Sequence, residues 1–415
     1  EGADIDHVWA RTEAGDITFT GYYYDNSGFL LYTLTGSSRE TVEAVPEFSA
    51  QELSSMSETD IQTYLESDMS LAVYDVANER VDHVWSLNES GELSFTQYTY
   101  SSGGQLVFTI SGNTRTAVEN VSGITADNAA ALREEDLDAL LNGMSLAVYD
   151  TDENRVDHVW ARDDSGDLTF TSYNYDTLGK LVYTVSGTDR DEIEGLMGIT
   201  VSNVESLTES DIDAVLQAGM SIAVYDTVHN RIDHVWSRND SGEASFTLYN
   251  YDSTGQLIFT LTGSNRADIE SLTGIDENNY NSLSTEVADS LLSAGMSLAV
   301  YDVNTNQVDH MWTRGDDGDI TFTDYFYDAE GAIAYTITGD ARADVESVTG
   351  VTLDNVNSLD EATVNTVVAS GMSIAVYDTA NNRIDHVWSR NNDGELTFTT
   401  YEYNTDGQLV YTVSG

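Results

Sequence analysis

Apolar and polar residues alternate along 231–238 (RIDHVWSR) and 243–252 (EASFTLYNYD), flanked by apolar runs at 220–226 (MSIAVYD) and 256–263 (QLIFTLTG). Alternation with period two predicts half-buried strands, and short apolar runs bounded by turn residues predict buried ones. The links between them, 227–230, 239–242 and 253–255, are turn-type clusters short enough to force antiparallel neighbours. A four-stranded meander is expected. The periodicity then becomes helical. Arg266 and Glu270 stand at i and i+4, as do Arg39/Glu43, Arg115/Glu119, Arg190/Glu194 and Arg342/Glu346, a spacing that puts both on one helical face, and Gly274 follows as a stop. A second helix is predicted where Thr208 and Asp211 make a capping box before the apolar stripe Ile212, Val215 and Leu216, which ends at Gly219. Leu137, Leu140 and Leu141 repeat the stripe, as do Val364, Val367 and Val368. The helix pair is expected to cover one face of the sheet, because a bare sheet of roughly 45 residues buries too little core alone.

This whole pattern returns. His7, His83, His158, His234, His310 and His386 each sit in a DHVW or DHMW tetrapeptide, with successive copies 75 or 76 residues apart. A fixed period of this size marks a repeat array. The fold expected is an α+β tandem repeat array, each module of about 76 residues being a four-stranded antiparallel meander plus a helical connector, stacked linearly or superhelically. The boundaries fall at 1–68 (lacking its first strand), 69–143, 144–219, 220–295, 296–371 and 372–415 (lacking helices). A six-bladed β-propeller is the alternative, since four-stranded meanders are its blades, although these connectors are long for the link between blades.

Charge narrows the function. With 72 acidic and 16 basic residues the formal charge is −56, which excludes nucleic acid as a partner. Lys180 is the only lysine, and all arginines except Arg133 recur at three positions: before the DHVW strand (Arg80, Arg155, Arg231, Arg383), two residues after its Trp (Arg11, Arg162, Arg238, Arg314, Arg390) and after the last strand (Arg39, Arg115, Arg190, Arg266, Arg342). Cations spent so sparingly are expected to be internal ties, because the guanidinium offers a planar fork of donors. Such a chain suits a saline or divalent-rich exterior, where screening relieves self-repulsion. There is no cysteine, hence no disulfide framework, and no apolar run long enough for a membrane span.

Three constellations could carry chemistry. In Val81-Asp82-His83-Val84-Trp85, alternation puts His83 and Trp85 on one face and Asp82 on the other, where it cannot orient the imidazole. His83, Trp85, His158, Trp160, His234 and Trp236 are candidates for a sugar-stacking or metal-binding surface, but the favoured reading is a repeated core. The core reading predicts that Trp85, Trp160, Trp236, Trp312 and Trp388 are buried and equivalent. The third strand repeats F-T-x-Y-x-Y, which makes Tyr98, Tyr100, Tyr173, Tyr175, Tyr249 and Tyr251 candidates for an inter-module or ligand surface. The acidic turns offer candidate calcium ligands in Asp163, Asp164, Asp167, Asp316, Asp317 and Asp319, though no EF-hand loop is completed. No other cofactor is implied. No nucleophile stands at a fixed offset from the histidines, so the chain is not expected to be an enzyme.

Tyr249-Asn250-Tyr251-Asp252-Ser253-Thr254-Gly255-Gln256-Leu257 resembles the YD repeat of the RHS family, in which Y-x-Y-D-x-x-G-x-L joins two strands; Tyr173 to Leu181 and Tyr325 to Ile333 are similar. The resemblance implies a large, β-rich repeat protein that is secreted or exposed at the cell surface, and it carries over no catalytic residue. The expectation is an extracellular structural protein, a component of a filament, sheath, surface layer or adhesin stalk, with a multivalent glycan-binding protein as the alternative. The first copy starts at its DHVW strand and the last stops after its fourth strand, so the partners expected are further repeats of the same parent chain or other copies of it.

Overall fold

A computed structural model of the chain describes residues 5–11, 17–88, 91–162, 166–239, 241–315, 317–391, 393–404 and 407–415. Two compact units emerge, the first from residues 1–207, 211–231 and 237–242, the second from residues 208–210, 232–236 and 243–415.

Twelve strands of the first unit follow in chain order. They are β1 (His7–Arg11), β2 (Ile17–Tyr24), β3 (Leu30–Gly36), β4 (Ser70–Asp75), β5 (Arg80–Leu87) and β6 (Leu93–Tyr100), then β7 (Leu106–Gly112), β8 (Met144–Asp150), β9 (Arg155–Arg162), β10 (Leu168–Tyr175), β11 (Leu181–Gly187) and β12 (Ser221–Asp226). β13 (Arg231–Arg238) has residues in both units. The second unit continues with β14 (Ala244–Tyr251), β15 (Leu257–Gly263), β16 (Ser297–Asp302), β17 (Gln307–Arg314) and β18 (Ile320–Tyr327). It ends with β19 (Ile333–Gly339), β20 (Ser373–Asp378), β21 (Arg383–Arg390), β22 (Leu396–Tyr403) and β23 (Leu409–Ser414). Within each unit, consecutive strands pair antiparallel.

The ladder does not stop at the end of a repeat. In the first unit β3 pairs with β4, β7 with β8 and β11 with β12, and in the second β15 pairs with β16 and β19 with β20. Propeller blades are separate small sheets. Here the fourth strand of one repeat is hydrogen-bonded to the first strand of the next, which rules the propeller out. Nor does either unit close into a barrel: among the described residues β1 pairs only with β2 and β23 only with β22.

The connectors between fourth and first strands are short helices. After β3 come α1 (Arg39–Ala44), α2 (Ala50–Ser55) and α3 (Glu58–Tyr64). Later connectors hold α4 (Arg115–Glu119) and α5 (Glu134–Leu137), α6 (Arg190–Glu194) and α7 (Glu209–Val215), α8 (Arg266–Glu270) and α9 (Thr285–Leu291), and α10 (Arg342–Glu346) and α11 (Glu361–Val367). The first helix is capped by Ser38, Thr114, Asp189 or Asn265, whose side chain accepts from a backbone N–H three residues on. Between the two predicted helices lies a 3₁₀ turn at Ala129–Ala131, Val204–Ser206, Tyr280–Ser282 or Val356–Ser358, which periodicity did not reveal.

Only one face of the sheet carries this cover. Strand β8 alternates buried and half-buried along its length, with Met144, Leu146 and Val148 beneath the connector. A cross-strand row makes the core: Leu146 faces Trp160, Trp160 faces Phe170, and Phe170 faces Gly187. Gly187 gives the core a close approach: a Cβ there would lie 3.0 Å from Cγ of Met220 and 3.3 Å from Cδ1 of Ile193. The turn from first to second strand places Asn154, Asn230, Asn306 and Asn382 at positive φ, the region asparagine tolerates. Glu79 occupies the same place at φ 52°.

The arginines are ties, as expected, and most reach beyond their own strands. Nε of Arg190 donates to Glu194 at 2.7 Å, while its two terminal nitrogens donate to the carbonyls of Leu132 and Ala130 in the preceding connector. Its guanidinium also lies 5.2 Å from the Phe170 ring centre. Arg162 reaches the carbonyls of Leu141 and Asp138, Arg314 those of Asp289 and Leu292, and Arg390 that of Val368; each closes the C-terminal end of the helix before it. Arg133, the one arginine outside the three positions, pairs with Asp191 of the next connector.

Candidate functional site

The histidine cluster is built on a bulge. Val73 faces His83 and Tyr74 faces Val81, which leaves Asp82 as the extra residue of its strand; Asp157, Asp309 and Asp385 are extra in the same way. An inserted residue re-aims its side chain. The Asp82 carboxylate therefore swings round to accept from Nδ1 of His83 at 2.7 Å, with 2.7 Å in the pairs Asp157–His158, Asp233–His234 and Asp309–His310. Simple alternation had put this aspartate on the far face, and the bulge corrects that. Hydrogen bonding to His83 is the main cause holding Asp82 below the usual carboxylate range, and Asp157 and Asp309 are lowered likewise by their histidines.

With Nδ1 engaged by the carboxylate, Nε2 is the imidazole's remaining polar atom. That atom is buried without a hydrogen-bond partner within the chain in His83, His158, His234 and His310. Each imidazole lies 5.1 Å from a phenylalanine ring, which in turn packs against the tryptophan at 4.7–4.9 Å. Trp85, Trp160, Trp236 and Trp312 have no exposed surface. A ring without surface cannot stack on a ligand, so these tryptophans act as core. Trp388 is half-buried and Trp9 is 51% exposed.

Beside the histidine two clefts open toward the connector. One, of about 270 Å³, is lined by Asp157, His158, Ser172, Asn174, Tyr183 and Glu194 among others; the other, of about 370 Å³, uses the equivalent Asp6, His7, Gly21, Tyr23, Tyr32 and Glu43. The frame is constant, while the residue across from the histidine differs in every copy: Gly21, Gln97, Ser172, Leu248, Asp324, Thr400. At Asp324 burial, with Asp309 adding repulsion, pushes the carboxyl up to about 6. The fixed F-T-x-Y-x-Y frame drew attention away from this variable x.

The tyrosines fall into two sets. Tyr100, Tyr175 and Tyr251 sit at the hairpin end, and each hydroxyl donates at 2.8 Å to a carbonyl of the second strand, of Val81, Val156 and Ile232 respectively. Arg80 lies over Tyr100 and Arg155 over Tyr175, at 4.3 and 4.5 Å. Tyr98, Tyr173 and Tyr249 are half-buried on the face opposite the tryptophans. Burial raises the phenols of Tyr98 and Tyr173; Tyr149 and Tyr74 add repulsion at the first, Tyr225 and Tyr149 at the second, so the rings form a row across neighbouring repeats.

Between the rings this face is small and hydroxylated. From β8 to β11 it presents Ser145, Ala147 and Tyr149, then Val159 and Ala161, Thr169, Thr171 and Tyr173, and finally Thr184 and Ser186. Threonine and serine hydroxyls pair across strands, Thr171 with Ser186 at 2.8 Å and Thr96 with Ser111 at 2.8 Å. No copy places a charged residue at any of these positions. The same alternation rule, applied to all four strands instead of the third alone, would have found it.

Of the acidic turns, Asp163, Asp164 and Asp316 lie outside the described residues. Asp167, Asp317 and Asp319 are exposed, and a carboxylate oxygen of Asp317 accepts from the Asp319 backbone at 3.2 Å, which is turn geometry. Among the described residues no three His, Cys, Asp or Glu side chains converge as metal ligands, and no helix is long and apolar enough to cross a membrane.

No family model and no curated protein matches this chain. Among solved structures it is similar to a chain in a crystal structure of TcdB2-TccC3-Cdc42, at 12% identity and a TM-score of 0.22, covering 96% of this chain and 18% of that one. Likeness at that level carries no argument, and the YD resemblance rests on the hairpin motif alone.

Proposed function

We propose that this chain is an extracellular structural repeat protein, a filament, sheath, surface-layer or stalk component with no catalytic role, in which modules of about 76 residues stack as a linear or superhelical array. The observation that carries this reading is the ladder across repeat junctions. Where β7 meets β8, Phe108 faces Val148 and Ile110 faces Leu146, so a junction is joined by backbone hydrogen bonds as any hairpin is. The arginine ties reinforce it: Arg190 donates into the preceding connector, and the Arg115 backbone donates to Glu58 across 57 residues at 2.9 Å. The chain's partners are further repeats or other copies, and the acidic exterior suits saline or calcium-rich surroundings. Electron microscopy of the native material tests this: fibres or a lattice with a regular axial repeat are expected, and isolated particles at every salt concentration would sink the reading.

A further inference from the structure

We propose that two copies of this chain pair face to face through the uncharged tyrosine–threonine side of the sheet. The proposal deepens the structural reading above and rests on it. In a chain of formal charge −56, the positions equivalent to Thr171 and Tyr173 are uncharged in all six copies, and those equivalent to Ser145 and Ala147 in the five copies that have a first strand. The opposite face lies under connectors rich in Asp and Glu. Two such chains repel one another over most orientations, and this side is where they approach without setting carboxylate against carboxylate. A contiguous uncharged face bounded by charge, half-exposed along the first three strands of a repeat, is the mark of an interaction surface.

Its relief is suited to a second copy of itself. Tyr149 and Tyr173 form rows on β8 and β10; Val156 of β9 lies across from Tyr149, and Thr184 of β11, across from Tyr173, is covered to 6% exposure. Tyrosine rows two strands apart are separated by about 9.6 Å, so a copy displaced by one strand sets its rows between those of its partner. The pairing is isologous, with the same patch on both partners. Its area is sufficient. Twelve strands about 4.8 Å apart, each about 20 Å long, present on the order of 1,000 Å² in the first unit, against about 800 Å² per partner in a standard interface. At the hairpin end Arg80 over Tyr100 marks where this face stops.

Sedimentation of the full chain over a concentration series in high sodium chloride should show association. Adding Ser70→Glu, Ser145→Glu and Ser221→Glu to that face should weaken it at least tenfold. Ser54→Glu, Ser122→Glu and Ser202→Glu, the same charge on exposed connector positions, should leave it unchanged. Because the face variant can fail to fold, single cysteines in this cysteine-free chain supply a second reading. Ser145→Cys should lose maleimide reactivity at least tenfold as concentration rises, and Ser122→Cys should keep it. A chain that stays monomeric throughout overturns the proposal, as does a Ser145→Cys thiol equally reactive at all concentrations. Retention of the native chain on insoluble cellulose, lost in the face variant while sedimentation shows a monomer, overturns it in favour of a neutral glycan. Filaments that persist in the folded face variant overturn face pairing and leave the structural reading standing.

Discussion

Trp160 and Trp9 occupy the same place in their repeats and differ only in what lies around them. Each faces the phenylalanine of the next strand, Phe170 or Phe19, with ring centres 4.9 Å apart in both cases. Yet Trp160 has no exposed surface and Trp9 is half exposed. The far end of the chain repeats the contrast: Val185 is 4% exposed and its equivalent Val413 is 56%. Cross-strand register therefore sets the aromatic geometry, whereas burial is supplied by the adjoining strand, before Trp160 or after Val185, and by the connector. A repeat does not complete its own core. That is why the ladder across junctions and the arginine ties into the preceding connector matter more than anything inside one copy.

The sharpest way to break this comparison is to remove both rings. Trp160→Ala should cost about 3–5 kcal/mol and Trp9→Ala less than about 1 kcal/mol, read from urea unfolding; equal costs would mean that burial does not depend on neighbours. The glycine at the end of the fourth strand gives a second pair. Gly187→Ala drives a methyl into Met220 and Ile193 and should destabilise by about 1–3 kcal/mol, whereas Gly415, with nothing within 4 Å of a Cβ, should accept alanine with no change in midpoint.

A third contrast lies across from the histidines, between Ser172 and Asp324. Burial raises the Asp324 carboxyl to about 6 in the folded chain, above the unfolded value of about 3.9. The folded state thus favours the protonated form, and ionisation costs stability that is fully felt above pH 6 and absent below about pH 4. Asp324→Asn should stabilise at pH 8 by about 1 kcal/mol, discounted for the group's partial exposure, and do nothing at pH 3.5. A gain independent of pH would point to packing instead of charge. The smallest effect belongs to the first turn, where Glu79 holds the positive φ that asparagine occupies in the other copies. Glu79→Asn should raise the unfolding midpoint by the equivalent of about 0.5 kcal/mol, and Asn154→Glu should lower it by a similar amount.

Much of this fold could be read from residue patterns because its determinants are local. Alternation in RIDHVWSR, the Arg–Glu pairs at i and i+4 and the turn clusters each act within a few residues, and the strands, first helices and hairpins appear where these place them. The pairing of β7 with β8 spans a connector of 31 residues, Asn113 to Gly143, and nothing in either strand names its partner. Asp82 illustrates a subtler gap. Its swing onto the histidine face follows from a one-residue offset between two strands, which neither strand shows alone. Arg190 was legible as a tie to Glu194, but its donation to Leu132 and Ala130 depends on how connectors stack. The open face was hidden for another reason: its residues are the unremarkable ones, serine, alanine and threonine, and their meaning lies in the charge that never appears among them.

Whether repeats complete one another is measured most directly by amide hydrogen exchange. The ladder between β7 and β8 joins two repeats, and the ladder between β9 and β10 lies inside one. If the junction is part of one cooperative sheet, the paired amides of Thr109 and Ala147 should exchange with the same opening free energy as those of Val159 and Thr171, within about 1 kcal/mol. Junction amides that exchange several kcal/mol more easily than the interior ones, while Trp160 stays protected, would show repeats that fold by themselves and merely touch.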